Sequence, residues 1–355
     1  MKAEAGNTKG MDEAAPSLSG KDRPERRKTA VIITAHGEAE TTGFTGNFSM
    51  TRHTLDHASA VMSIPAPFKL LIAVISGLKN SFRFRKTGYV SPHNEITRMQ
   101  ANGIGEKLGE HCKDEAFSFD VFTAFSVTPP FLEDVIRSTG NYDLRIMLSM
   151  SPVESRLTCG SICYLLQELC DGKELAGIKV ISPLWKERAL MELYLDHIFS
   201  CSFGAGSDYA EKPVLVLAFH GTLVADSDGA APRFQTGARE TQAFAESMRK
   251  AIIKDVRNFY GDVITAYLNH DVGGTWTTPS LEQVLEDLAA QNTGRVSLFA
   301  AGFFAEGNET LLRAGEALER SGIGETLFIP CINDADAFLG FLSDRIIAAA
   351  KQVVR

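Results

Sequence analysis

The feature that most constrains this chain is a phrase that occurs twice: a run of apolar, β-branched residues that ends in His-Gly. The first run, Thr29–Ala35, leads to His36-Gly37, and the second, Val214–Phe219, leads to His220-Gly221. Runs of this length and composition are typical of parallel strands that are covered on both faces. Two such starts, far apart in the chain, predict two related domains with parallel sheets.

Further strand candidates alternate with amphipathic segments, which is the order found in βαβ units. The other predicted strands are Phe119–Ala124, Leu144–Ser149, Lys179–Ile181, Val263–Leu268, Val296–Ala300 and Thr326–Ile329. The predicted helices are Asn94–Leu108, Pro130–Ser138, Glu187–Phe199, Arg239–Phe259, Ser280–Gln291 and Glu309–Ser321. We therefore expect an α/β protein with two Rossmann-like, doubly wound parallel-sheet domains. Ligands bind beyond the carboxyl ends of such strands, where His36 and His220 would lie.

Composition excludes several classes of function. With 355 residues, 44% of them apolar, the chain can form two domains, each with its own core. A net charge of −8 without a long Lys/Arg block argues against nucleic acid as a partner. The chain has no P-loop, and the glycines of 103–109 follow a helical segment, so we expect no nucleotide cofactor. Six cysteines without a paired C-x-x-C predict reduced thiols, with no zinc ribbon and no iron–sulfur cluster.

Two segments lie outside the predicted sheets. Residues 1–28 are polar and almost lack large apolar side chains, so we expect a disordered tail. Because this tail has no apolar core of a secretory signal, we expect a cytoplasmic protein. Residues 68–78 are apolar but too few to span a bilayer, and a basic cluster follows at 79–86. This segment is either a buried core helix or a peripheral contact with the inner face of an anionic membrane.

Candidate catalytic side chains follow two strands of the second predicted domain. His220 lies at the end of one apolar strand, while Glu306 and Glu309 come shortly after another. A histidine and a glutamate on two such loops can converge on one cleft, where the imidazole accepts a proton near pH 7 and the carboxylate supports it. From spacing alone, His220 could also be an ordinary turn residue, and Glu309 a carboxylate favoured by a helix N-terminus.

Seven segments in chain order resemble the ferrochelatase family and together cover nearly all of residues 29–350. They are GYVSPHNEITRMQANGI (88–104), AFSVTPPFLEDVI (124–136), SPVESRLTCGSICYLL (151–166), LVLAFHGTL (215–223), HDVGGTWTTPSLEQVL (270–285), AAGFFAEGNETLL (300–312) and IPCINDADAFLGFLSDRI (329–346). The resemblance implies two Rossmann-like domains that face a central porphyrin cleft. It also implies ATP-independent insertion of Fe²⁺ into a porphyrin, protoporphyrin IX being favoured, to form haem. The metal and the porphyrin are then substrates, and no tightly bound cofactor is expected.

The resemblance further implies roles for individual residues. It assigns the family's catalytic histidine to His220 and its active-site glutamate to Glu309, and both are expected to bind the metal. Glu306 is expected to assist Glu309 as a further acidic catalytic group. The expected porphyrin contacts are His36, Ser91, Pro92, Phe68, Leu71 and Trp276.

The same resemblance predicts the limits of the domains. The N-terminal domain is expected to span 29–195, with residues 64–86 as a lid over the porphyrin and a C-terminal helix, 335–355, that completes it. The second domain, 196–334, is expected to carry the catalytic histidine and glutamate.

Three segments depart from the family pattern, one of them 226–236, where the family's Gly-Asp-x-Tyr motif is not recognisable. The loop after the first strand usually reads Asn-Leu-Gly-Thr-Pro or Ala-Tyr-Gly-Thr-Pro, whereas this chain has Ala35-His-Gly-Glu-Ala39. An Asp-His pair often precedes the family glutamate, and here those positions are Glu306-Gly307. His36, on the opposite lip, is a candidate replacement for the missing imidazole. These departures leave open a related chelatase for cobalt, nickel or coproporphyrin, and a non-catalytic porphyrin or haem carrier.

Overall fold

The eight predicted strands form two parallel sheets of four strands each. The computed structural model describes residues 26–61, 64–111, 116–201, 212–226, 228–270 and 274–353. The first sheet contains β1 (Arg27–Ala35), β2 (Phe117–Phe125), β3 (Leu144–Ser149) and β4 (Ile178–Ile181) in the order β2-β1-β3-β4. Most of the predicted tail, residues 1–25, lies outside the described residues. Its predicted end at residue 28 is too late, because Arg27 and Lys28 already pair with β2.

The second sheet repeats the arrangement of the first. It contains β5 (Val214–His220), β7 (Asp262–Leu268), β9 (Arg295–Phe299) and β10 (Glu325–Ile329), while β6 (Leu223–Ala225) and β8 (Thr275–Trp276) form a separate antiparallel pair. The order β10-β9-β5-β7 again sets the first strand of the sheet between the second and the third. Both strands that end in His-Gly, β1 and β5, are therefore central, and their carboxyl ends lie where ligands bind in open α/β sheets.

Helices cover both sheets. The helices of the first half are α1 (Phe44–Ala58), α2 (Ala66–Thr87), α3 (His93–His111), α4 (Leu132–Ser138), α5 (Cys159–Leu169), α6 (Gly172–Ala176) and α7 (Arg188–Cys201). The second half has α8 (Ala238–Lys254), α9 (Leu281–Ala290), a π-helix (Asn308–Gly315), α10 (Glu316–Arg320) and α11 (Asp336–Val353). Helix α8 ends five residues before its predicted end, because the backbone turns extended at Asp255. The last helix, α11, packs against α3, α7, β3 and β4, which all belong to the first half.

One hydrophobic core runs through both sheets. It contains Val31 of β1 and Leu217 of β5, and the two halves meet through Tyr194 of α7 and Phe244 of α8. Tyr194 is fully buried, with its ring centroid 6.1 Å from that of Phe244 and 5.4 Å from that of Phe299. Because α7 is continuous, the predicted division of the chain between residues 195 and 196 falls inside a helix.

The apolar segment at 68–78 belongs to α2, which packs on α1 through a narrow face. Ala73, Gly77 and Phe84 are buried there, and at Gly77 the backbone of α1 leaves no room for a side chain without adjustment. On its other face Phe68, at 59% exposure, and Phe82, at 76%, are open to solvent. Within the described ranges, no helix combines the length and apolar character needed to cross a membrane.

Candidate functional site

A cavity of about 500 Å³ opens at the carboxyl ends of both sheets, between the two halves of the protein. Its lining includes the turns after β1 and β5, part of α1, and the chain around 149–162, 234–241 and 302–310. Most of the surface of its wall is apolar, although many of the lining residues carry a hydroxyl, amide, imidazole or charged group. Cavities of this size and character hold small organic ligands in many proteins.

Three potential metal ligands meet at one wall of this cavity. The Oε1 atom of Glu309 lies 3.2 Å from Nε2 of His270 and 3.6 Å from Nε2 of His220. The two Nε2 atoms are 3.4 Å apart. Bonds of about 2.1 Å to one ion separate neighbouring donor atoms by about 3 Å, so this spacing suits a single cation. His220 ends β5, His270 follows β7, and Glu309 is the second residue of the π-helix.

Local hydrogen bonds leave these groups free to receive a cation or a proton. Nδ1 of His220 lies 2.6 Å from the carbonyl oxygen of Gly221, which can only accept, so Nδ1 carries the hydrogen. The Nε2 atom of a neutral His220 ring is then a free acceptor. Among the described residues, no group donates a hydrogen bond to Oε2 of Glu309, although this atom is buried.

The charges around Glu309 keep it ionised. Burial by itself raises the pKa of this carboxyl group, but His220, His270 and the nearby Arg313 outweigh burial and hold the pKa at about 2. A carboxylate in this setting attracts a divalent cation at any pH near neutrality.

His36, His57, His93 and Glu38 line the cavity from the first half of the chain. His36 is open to the cavity but surrounded by protein, and burial together with His57 and His93 lowers its pKa to about 3. Its imidazole is therefore neutral at pH 7. Burial raises the pKa of Glu38, whose carboxylate accepts hydrogen bonds from Ser91 and from the backbone of Asn308.

Of the predicted porphyrin contacts, the structure brings His36 and Trp276 to the cavity. The ring of Trp276 lies 5.2 Å from that of His270. Ser91 and Pro92 are not part of the lining; Ser91 is buried behind Glu38 and donates a hydrogen bond to it.

Three other predicted site residues lie away from the cavity. Phe68 and Leu71 are exposed on the outer face of α2, because α2 turns its small residues toward α1. Glu306 is buried, and its carboxylate accepts a hydrogen bond from the backbone N–H of Cys331. Glu306 lies in the turn before the π-helix and Glu309 within the π-helix, and their side chains point to different surroundings. Glu306 is therefore not beside Glu309.

Sequence reasoning missed His270 and Glu38. His270 follows β7, the strand that pairs directly with β5, so the argument that selected His220 at a strand end also applied to it. His36 was expected to replace the missing imidazole at position 307, but in the structure His270 is the histidine beside Glu309 and His220. Glu38 follows His36 by two residues, and only the fold reveals that it reaches the other half.

Comparison with known proteins agrees with this geometry. The sequence profile of the ferrochelatase family matches residues 28–350. Ferrochelatase from Synechococcus elongatus is 25% identical over 303 residues, which cover 81% of this chain and 73% of that protein. Ferrochelatase from Cyanothece sp. is 24% identical over 296 residues, covering 80% and 72%. Ferrochelatase from Campylobacter jejuni is 21% identical over 266 residues, covering 74% and 78%.

The fold itself is similar to that of SirB from Bacillus subtilis, solved with Fe³⁺, with a TM-score of 0.51 and 9% identity. The similarity covers 91% of this chain and 96% of SirB. A match over almost the whole sequence, together with two facing parallel sheets, leads to one conclusion. The chain belongs to the ferrochelatase family, and it is a lyase that inserts a metal ion into a porphyrin.

Proposed function

We propose that the protein inserts Fe²⁺ into protoporphyrin IX, without ATP and without a tightly bound cofactor. The observation that carries the proposal is the meeting of His220, His270 and Glu309 at one wall of an apolar cavity. Two imidazoles and one carboxylate, with the remaining positions open, form a donor set that proteins use for Fe²⁺. The apolar lining suits the faces of a flat macrocycle.

A free-base porphyrin holds two N–H protons within its ring, so a metal enters only after the ring bends and the protons leave. In our proposal Nε2 of His220 accepts one pyrrole proton, the second passes to water, and Glu309 stays ionised and holds the cation until it enters the ring. His270 completes the metal site, and the site releases its ion because the porphyrin is the stronger ligand. Neutral His36, which lines the cavity from the first half of the chain, contacts the ring without repelling the cation. Binding energy from the apolar faces accelerates insertion if the bent ring is held more tightly than the flat one.

The test of this proposal is anaerobic incubation of the purified protein with Fe²⁺ and protoporphyrin IX, following the loss of free-base fluorescence. Parallel reactions with Co²⁺ or Ni²⁺, and with coproporphyrin, compare the alternative substrates. We expect the fastest turnover with Fe²⁺ and protoporphyrin IX, without ATP. Faster turnover of another pair would replace the proposed substrates, and binding without product would instead indicate a carrier.

Arg156 is the candidate contact for a carboxylate of the porphyrin. Of the arginines and lysines in the described part of the chain, it alone lines the cavity, and no carboxylate of that part pairs with it. Its guanidinium stacks over the ring of Tyr164, 5.0 Å from the centroid, which limits its motion. The basic cluster at 79–86, in contrast, lies outside the lining.

We therefore predict that Arg156→Gln raises the KM for the porphyrin about tenfold and leaves kcat nearly unchanged. A hydrogen bond to a charged group contributes about 1.5–3 kcal/mol, and the partial exposure of this arginine reduces that contribution. Arg85→Gln, in the exposed basic cluster, is the matched control and should leave KM unchanged. An equal effect of both variants would instead assign carboxylate recognition to the cluster.

We also propose that α2 contacts an anionic membrane surface from the cytoplasmic side. Phe68, Leu71, Ile75, Leu78 and Phe82 form an exposed stripe along this helix, and Arg85 and Lys86 follow at its end. An apolar helix face beside cations is typical of interfacial binding to anionic lipids.

Flotation with liposomes that contain anionic lipid tests this contact. We expect the wild type to float, and a variant with Phe68→Ser and Phe82→Ser to remain with the unbound protein, because it loses two of the largest exposed side chains. Leu175→Ser, an exposed apolar residue on α6, is the control. If the wild type stays unbound, the proposal fails.

A further inference from the structure

Glu38 links the two halves of the protein directly at the catalytic wall. It belongs to the turn after β1, but its carboxylate oxygens lie 3.1 and 3.0 Å from the backbone nitrogen of Asn308, the first residue of the π-helix. Ser91 donates a further hydrogen bond to the same carboxylate. A side chain of the first sheet therefore holds the start of the helix that carries Glu309.

The backbone of Glu38 is fixed as well. Its N–H donates to Oδ1 of Asn94 at 2.8 Å, and Nδ2 of Asn94 donates back to the carbonyl oxygen of Glu38 at 2.9 Å. Asn94 is fully buried at the start of α3. The backbone N–H and C=O of Glu38 are therefore both held by Asn94, which limits the positions that the carboxylate can reach.

Glu38 occupies the space beside Gly307 in which a side chain would lie. A Cβ atom added to Gly307 would be 2.8 Å from Oε1 of Glu38 and 3.1 Å from its Cδ. The backbone of Gly307 is extended, with φ of −163°, so its conformation does not require glycine. A side chain at 307 would have to displace the carboxylate of Glu38. The two departures from the family pattern, at 38 and at 307, therefore meet at one point in space.

The contact acts on Glu309 through the helix start. The first N–H groups of a helix lack partners within it, and a carboxylate placed there fixes them and interacts favourably with the helix dipole. Within the π-helix start, Thr310 accepts from the N–H of Gly307 at 2.9 Å, which leaves the N–H of Asn308 to Glu38. The N–H of Asn308, the residue before Glu309, is thereby held by a side chain from the first half of the chain.

We propose that Glu38 is a positioning residue for metal insertion: its carboxylate, in the space that a side chain at position 307 would fill, anchors the start of the π-helix so that Glu309 faces His220 and His270. This inference rests on the proposed role of Glu309 as a metal ligand. The Glu38 carboxylate, which comes from the first half of the chain, thus takes the place that a side chain at position 307 would fill.

The test uses the full-length protein with Glu38→Thr, with Gly307→His and with both substitutions together. Each single variant should lower kcat about 10- to 100-fold, because it removes or displaces hydrogen bonds to a charged group, while the porphyrin KM changes little. The affinity for Co²⁺ alone, measured by calorimetry, should fall by a similar factor. The double variant should lose no more than Glu38→Thr alone, because the imidazole at position 307 no longer meets the carboxylate.

Glu192→Gln is the matched control, since Glu192 is an exposed glutamate that pairs with Arg188 on α7, away from the cavity. Wild-type kcat and Co²⁺ affinity in Glu38→Thr would overturn the proposal. Losses in the double variant equal to the product of the single losses would also overturn it. Circular dichroism checks folding, and Glu38→Gln, which keeps the shape of the side chain, gives a second reading if Glu38→Thr unfolds.

Glu309→Gln separates this inference from the proposed function. If Glu309→Gln binds Co²⁺ and turns over like the wild type, Glu309 is not the ligand and the proposed function fails. If Glu309→Gln is inactive while Glu38→Thr is normal, only the anchoring role of Glu38 fails.

Discussion

His220→Ala is expected to lower kcat/KM for metal insertion by about 10³-fold, since a positioned general base contributes about 10²–10⁴-fold. The substitution removes the one Nε2 atom that Gly221 leaves as a free acceptor toward the cavity. Porphyrin binding should persist, because the apolar lining stays intact. Quenching of porphyrin fluorescence measures that binding, and formation of the metalloporphyrin measures turnover.

His270→Ala should also lower the rate of metal insertion, but mainly by weakening the binding of the metal ion. Its Nε2 atom lies 3.2 Å from Glu309, so its loss removes one of three donors while His220 remains available as a base. His53→Ala is a suitable control, because its ring packs on Phe131 and does not line the cavity. Unchanged turnover in His220→Ala would rule out the assigned base, and a normal metal KM in His270→Ala would reduce the metal site to two protein ligands.

Tyr194→Ala is expected to lower the free energy of unfolding by about 4 kcal/mol, because truncation of a buried aromatic side chain removes its packing and leaves a cavity. Tyr194 is fully buried on α7 and contacts aromatic rings from α8, from β9 and from the turn after β9. Urea denaturation followed by circular dichroism measures the change.

Tyr194→Phe separates packing from hydrogen bonding. The Tyr194 hydroxyl donates to the carbonyl oxygen of Ala301 at 3.3 Å, and its removal should cost about 1 kcal/mol. If Tyr194→Ala costs no more than Tyr194→Phe, the ring does not join the two halves in the way its contacts indicate.

The sheets could be predicted because buried parallel strands have a simple signature. Segments such as Val214–Phe219 are short, β-branched and apolar, and all eight such segments are strands of the two sheets. Helix α1 was missed because it has little apolar periodicity and buries only Asn47 fully. Its place beside the cavity depends on α2 and on the sheet, which local sequence does not reveal.

Only part of the site could be predicted, because the sequence indicates where strands end but not the direction in which each side chain points. The strand-end argument found His220, His36 and Glu309, and the resemblance to a family gave Glu309 its role. The predictions for Glu306 and Phe68 depended on the direction in which a side chain points. Apolar periodicity in α2 indicates that one face differs from the other, without indicating which face meets protein. Residues such as Glu38 and Gly307 are far apart in the sequence, and only the fold brings them into contact.

The single core that runs through both sheets limits how the cleft can open. Rotation of one sheet away from the other would separate Tyr194 from Phe299 and expose a large apolar area to water, at about 25 cal/mol per Å². The protein therefore does not work as a clamshell with a hinge between two independent lobes. We therefore expect a flat substrate to enter and leave edge-on, with exchange controlled by local movements of the rim and not by closure of domains.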